Sequence, residues 1–234
     1  MHHRSHHRSR SHGKSRVKVV HNVAKGPAVN VVIDGKKALS NVEYKTQSGY
    51  LKVPSGKHYL SIMAGGKTLA SADVNLKPKT DYTVIAHGDV TNLPSISLLA
   101  LEDNNSCPAR GKSHLRFVHA AAGAPAVDVW ASDNAKAFSN VSYGQTGNPI
   151  YLPVDAGVIN VSVTPTGSTQ RVLGPLPLNL EEGKIYTVTA SGLVGDSEAP
   201  LTALVHEDKK CSINMDYHVN KNMSMGMMPL WFNL

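Results

Sequence analysis

One pattern, met first at Val17 and again at Leu115, governs what this 234-residue chain can fold into. Val17-Lys18-Val19-Val20-His21 returns as Leu115-Arg116-Phe117-Val118-His119, and Gly26-Pro27-Ala28-Val29-Asn30-Val31 returns as Ala124-Pro125-Ala126-Val127-Asp128-Val129. Ser40-Asn41-Val42-Glu43-Tyr44 returns as Ser139-Asn140-Val141-Ser142-Tyr143, and Tyr82-Thr83-Val84 as Tyr186-Thr187-Val188. Glu102-Asp103 and Cys107 close the first copy as Glu207-Asp208 and Cys211 close the second. The offset grows from 98 residues at the start to 104 at the cysteines, so the second copy has gained about six residues, most simply in hairpin loops. Two copies are too few for a solenoid, whose repeats lean on neighbours. Each copy is therefore expected to be a domain of its own.

Inside each copy the apolar pattern has period two. Val17, Val19 and His21 share one strand face, with Lys18 and Val20 on the other; Tyr82, Val84 and Ala86 alternate with Thr83, Ile85 and His87. Turn signals separate such runs: Asp34-Gly35 and Gly65-Gly66 read as two-residue hairpins, and Pro54 and Pro153 belong at strand ends or edges. Strands about every ten residues with such punctuation read as an all-β fold, two tandem immunoglobulin- or prealbumin-like antiparallel β-sandwiches. The expected layout is a basic tail over 1–16, a first sandwich over 17–107, a linker over 108–114, a second sandwich over 115–211 and a Met-rich tail over 212–234.

The segments from Val20 to Val31 and from His119 to Trp130 resemble the opening signature of the family called domain of unknown function 4397, roughly V-x-V-x-H-A-x-P-x-A-P-x-V-D-V-Y. The turn and strand from Pro54 to Ile62 also fit it. The resemblance covers roughly 17–107 and 115–211. It implies a β-sandwich, often in tandem, on secreted or cell-envelope proteins, and it implies no reaction. The chain departs from the signature at Asn30, where the family has Asp, so a role that needs that carboxylate is expected only at Asp128.

Charge is unevenly placed. Arg4, Arg8, Arg10, Lys14 and Arg16 supply five of the seven net positive charges, so the folded part is expected to be near neutral. No run of 18 apolar residues could span a bilayer, and no apolar segment follows the basic N-terminus as in a secretory signal. Either a signal has been removed or the protein is made in a cytosol and co-assembles; Met1 favours the second.

Candidate chemistry is sparse. His21 and His119 could form a paired metal or acid–base site, but recurrence in both copies points to a structural histidine bonded to the following loop. The acidic pairs and Asp128 lack the dense oxygen loop that calcium requires. No nucleophile or phosphate-binding motif is present, and neither an enzyme activity nor a cofactor is expected. Cys107 and Cys211 could pair with each other, bridge chains or stay free; equivalent ends of tandem domains lie far apart, which favours the free or intermolecular forms. Asn104, Asn140, Asn160 and Asn222 open glycosylation sequons of the short kind that chance supplies.

The tails carry the remaining candidates. His2, His3, His6 and His7 could chelate a metal. Arg4, Arg8 and Arg10 suit an acidic partner rather than a specific nucleic-acid sequence. Met225, Met227, Met228, Trp231 and Phe232 could anchor in another subunit or in a second copy of this chain. The expected function is a non-enzymatic structural or surface component of a larger assembly, such as a virion or a spore or cell outer layer. A glycan-binding adhesion module using Trp130, Tyr44 and Tyr143 is the alternative, and an enzyme the third reading.

Overall fold

The computed structural model describes residues 13–92, 96–103, 106–132 and 135–210. The first copy holds β1 (Lys14–Ala24), β2 (Val29–Ile33), β3 (Lys36–Val42), β4 (Leu51–Pro54), β5 (Gly56–Ala64), β6 (Lys67–Leu76), β7 (Asp81–Asp89) and β8 (Ser97–Glu102). They form two sheets, ordered β4-β1-β7-β8 and β3-β2-β5-β6. The second copy holds β9 (Lys112–His119), β10 (Val127–Trp130), β11 (Lys136–Val141), β12 (Gln145–Thr146), β13 (Leu152–Asp155), β14 (Gly157–Pro165), β15 (Leu173–Leu180), β16 (Lys184–Ser191) and β17 (Thr202–Lys210). Its sheets run β12-β9-β16-β17, with β13 also on β9, and β11-β10-β14-β15.

Each copy has its own core. Val19, Val31, Leu60, Ile62 and Val84 centre the first; Phe117, Val129, Phe138, Val163 and Val188 centre the second. The sheets are antiparallel except for one parallel pair per copy. Val17 lies beside Tyr82 in β1–β7, and Leu115 beside Tyr186 in β9–β16. The same register in both copies is what the repeated strand sequences require.

The expected turns are present. Asp34 and Gly35 have φ of 51° and 74°, and Gly65 and Gly66 have 55° and 77°, the left-handed pairs that two-residue hairpins need. Pro54 and Pro153 lie in β4 and β13, strands that pair on one side only, where a missing N–H costs no ladder bond. β1 begins at Lys14, so Lys14, Ser15 and Arg16 are strand residues rather than tail. Arg16 Nε donates to Asp81 Oδ1 at 2.7 Å, which fixes that start.

Candidate functional site

β1 and β9 are buried on both faces, and the reason shapes the whole molecule. Odd positions of β1 (Val17, Val19) enter the first core. Even positions face the second sandwich instead: Val20 and Ile85 pack on Val118, flanked by Leu99 and Leu101. The sheets containing β1 and β9 therefore meet back to back and close a joint between the copies.

At the centre of the joint lies Arg116, 0% exposed. Its Nε donates to Thr187 Oγ1 at 2.9 Å, and one terminal nitrogen donates to the Glu102 carbonyl at 3.2 Å. The other donates to Asp103 Oδ1 at 2.8 Å and reaches Asp208 Oδ2 at 3.3 Å. Lys18 Nζ donates to Asp208 Oδ1 at 2.6 Å, across the joint from its own copy. Thr83 donates to Asp103 at 2.8 Å, and the Thr187 hydroxyl donates to Asp208. Tyr151 lies under the Arg116 guanidinium at 4.9 Å, and Tyr50 under Lys18 at 5.3 Å. The cluster has approximate two-fold symmetry: Lys18 matches Arg116, Asp103 matches Asp208, Thr83 matches Thr187 and Tyr50 matches Tyr151.

The electrostatics follow from burial. Desolvation opposes the charge on Arg116, but Asp208, Tyr151 and Asp103 outweigh it and hold its pKa above the ordinary value. Burial and Asp103 push the Tyr50 hydroxyl up, so it remains a donor to Asp103 Oδ2 at 2.5 Å. His206 is pushed down to about 4, first by burial and then by Lys18. Its Nε2 has no hydrogen-bond partner among the described residues.

Further polar contacts extend the joint. Asn22 Nδ2 donates to the Ala120 carbonyl at 3.2 Å, Ser191 donates to Asn22, and Tyr143 and His87 Nδ1 share a hydrogen bond of 2.9 Å. Lys25, with φ of 55°, reaches Asp196 at 2.6 Å on the other copy. Tyr44, whose hydroxyl lies 3.4 Å from Ser191 Oγ, and Tyr143, candidate ligand aromatics from sequence, lie at the joint. Trp130 is half-buried, donates to Thr164 at 3.1 Å and lies under Lys136 at 4.8 Å.

The remaining candidates take structural places. His21 and His119 are each 0% exposed, and each Nε2 lies 2.9 Å from a loop carbonyl, of Pro27 and Pro125. Burial lowers both pKa values, which keeps the rings neutral and the Nε2–H a donor to the carbonyl. Asp128 accepts Lys136 Nζ at 2.7 Å and the Asn140 N–H at 2.8 Å. Glu102 pairs with Lys77 at 2.6 Å and Glu207 with Lys184 at 2.9 Å. Among the described residues no group of three or more metal-ligating side chains forms a metal site. Cys107 is disulfide-bonded and so is not a free thiol; Cys211, the chain's one other cysteine, lies outside the described residues. His2, His3, His6, His7, Arg4, Arg8, Arg10, Met225, Met227, Met228, Trp231 and Phe232 also lie outside them, as do Asn104 and Asn222.

Sequence reasoning missed the joint. Its signal was a lone cation inside an otherwise apolar strand, Lys18 and Arg116, recurring in both copies with an acid recurring at Asp103 and Asp208.

A family model described as a domain of unknown function, DUF4397, matches residues 15–130 and 122–217. No curated protein matches the chain. Among solved structures, the Bacillus anthracis TIE protein is similar at 9% identity and a TM-score of 0.23, over 76% of this chain and 34% of that one. The chain thus spans about a third of that protein's length. A candidate cell adhesion protein from Bacteroides eggerthii is similar at 9% identity and a TM-score of 0.20, over 84% of this chain and 96% of that one. Another from Bacteroides fragilis is similar at 9% identity and a TM-score of 0.20, over 86% and 99%.

Proposed function

The chain belongs to the family described as domain of unknown function DUF4397, and for this member we propose a non-enzymatic structural role at the surface of a larger assembly, a virion or the outer layer of a spore or cell. One observation carries the reading. The buried charges that an active site could have used, Arg116, Lys18, Asp103 and Asp208, are occupied in binding one sandwich to the other. A four-charge cluster satisfied on both sides fixes the relative position of two domains, which suits a spacer. Lys18 touches Asp208 near the start of β1 and the end of β17, so the chain enters and leaves the described body at the same end. We assign both tails to one neighbouring subunit, the basic tail to an acidic surface and the Met/Trp/Phe tail to an apolar one.

Light scattering tests this. The full chain, with a one-chain mass of 25.0 kDa, is compared with a version covering 13–211, which keeps all of β1 and both cysteines. A larger mass for the full chain and a single-chain mass for the shortened one support assembly through the tails. Equal masses, together with unchanged incorporation of the shortened chain into particles or cell envelopes, overturn it.

A further inference from the structure

Between the edge strands β3 and β4 of the first sandwich runs a groove of about 390 Å³. Ile33, Leu51 and Val53 floor it, and Lys36, Lys37 and Lys52 rim it with exposed ammonium groups. Asp34, its one carboxylate, is held by His58 at 2.7 Å. No ion pair among the described residues engages any of the three lysines. The near-neutral total charge of the folded part hides this local excess.

The second copy has no such excess, and the difference can be traced residue by residue. Lys36 corresponds to Ala135 and Lys52 to Pro153. Lys37 corresponds to Lys136, which is held by Asp128 at 2.7 Å and covers Trp130. In the first copy the residue matching Asp128 is Asn30, which has no charge to hold Lys37. The departure from the family signature therefore releases a cation into the groove. A feature needed for the sandwich would appear twice; this one appears once.

We infer that this groove receives an acidic, extended segment of a partner protein. Among the described residues β3 and β4 each pair on one side only, which leaves main-chain groups at the groove walls to an added strand. Alternate side chains of such a strand would meet the apolar floor and the lysine rim. Gly13 accepts the Ser55 N–H at 2.7 Å, which seats the start of the described chain beside the β4 end of the groove. The inference rests on the assembly reading above and gives that partner a chemistry and a place.

The test uses the full-length chain and a fluorescein-labelled ten-residue peptide alternating Glu and Val, followed by anisotropy at low salt. A peptide alternating Lys and Val is the control. Binding of the acidic peptide should weaken by roughly tenfold or more in K36E/K52E, with the thermal midpoint unchanged, and by about threefold in Asn30→Asp. The inference is overturned if the acidic peptide fails to bind, as it would if the lysines only guard an open edge. Equal binding to K36E/K52E, or equal binding of the control peptide, overturns it too. So does tighter, K36E/K52E-sensitive binding of single-stranded DNA or phosphatidylserine vesicles. Binding lost only in R4S/R8S/R10S moves the acidic partner to the tail, which sinks the groove and leaves the assembly reading intact. Groove binding with tails that prove dispensable for assembly does the reverse.

Discussion

Asn30 and Asp128 stand at the same place in the two sandwiches and behave alike in one respect only. Each accepts a backbone N–H from the left-handed residue across its hairpin, Asn41 at 3.2 Å and Asn140 at 2.8 Å. Those partners share φ values of 55° and 52°. The fold thus asks this position for an acceptor oxygen. The charge is additional, and Asp128 uses it to hold Lys136, whereas Asn30 holds no cation. What both copies share, including the His21 and His119 loop bonds, answers to folding. What one copy alone has is free to answer to something else. The joint is a third case, in which matching residues of the two copies serve each other.

The largest effect should come from breaking that mutual arrangement at its most connected atom. Arg116→Ala leaves Asp103 and Asp208 buried without their shared cation and should cost about 3–5 kcal/mol in urea unfolding. Lys18→Ala removes one contact to Asp208, which keeps Arg116 and Thr187, and should cost roughly 1–3 kcal/mol. Equal losses would show that the joint is energetically symmetric despite the unequal bonding.

Acid should separate the copies next. His206 in the second copy matches Leu101 in the first, and it lies buried beside Lys18 and Arg116, with Asp208 the one group favouring its charge. Its folded pKa of about 4 is below the ordinary 6.5, so the unfolded chain binds the proton more readily. Stability is then full above about pH 6.5 and falls as pH drops towards 4, by on the order of 3 kcal/mol. His21, His87 and His119 are shifted in the same direction and add to the fall. His206→Leu, which copies the first repeat, should flatten the pH 4–6.5 slope by about one proton; an unchanged slope would remove His206 as its source.

How much of this could be read beforehand follows from what periodicity encodes. Alternation in Val17 to His21 and the Asp34-Gly35 and Gly65-Gly66 turns depend on neighbours in the chain, and strands, hairpins and the twofold copy were legible from them. The structural role of His21 and His119 was legible because it recurs. Lys18 and Arg116 were not, because a cation alternating with valines reads as a solvent face until a second sheet is known to cover it. The parallel β1–β7 pairing was hidden for the same reason: it joins residues about 65 positions apart, Arg16 with Asp81. The lysine groove was masked by a charge count that averages over the folded part.

A comparison of the two loop histidines should give smaller, matched losses. His21→Ala and His119→Ala each remove a buried ring together with its hydrogen bond to a loop carbonyl and should each cost about 1–3 kcal/mol, equal within error. A loss confined to one copy would mean that the two loops do not depend on the ring in the same way.

The smallest effect tests the starting contrast most directly. Burial works to raise the Asp128 pKa, but Lys136 and the Asn140 and Gly167 N–H groups outweigh it and hold it below the ordinary carboxylate value. Asp128→Asn keeps the acceptor and removes the charge, so it should cost about 1 kcal/mol or less, because Lys136 is partly exposed and its attraction is screened by water. The loss should vanish as pH falls through the carboxylate range, where the wild-type side chain takes up its proton and the two proteins become equivalent. Asn30→Asp should gain no more than the same amount, since Lys37 is exposed in its present position and must be ordered to form the pair. Thermal melts of both variants at pH 7 and pH 3 decide the matter. If Asp128→Asn is as costly as the histidine substitutions, the carboxylate is a fold determinant, and Asn30 is then a defect of the first copy rather than the change that releases Lys37.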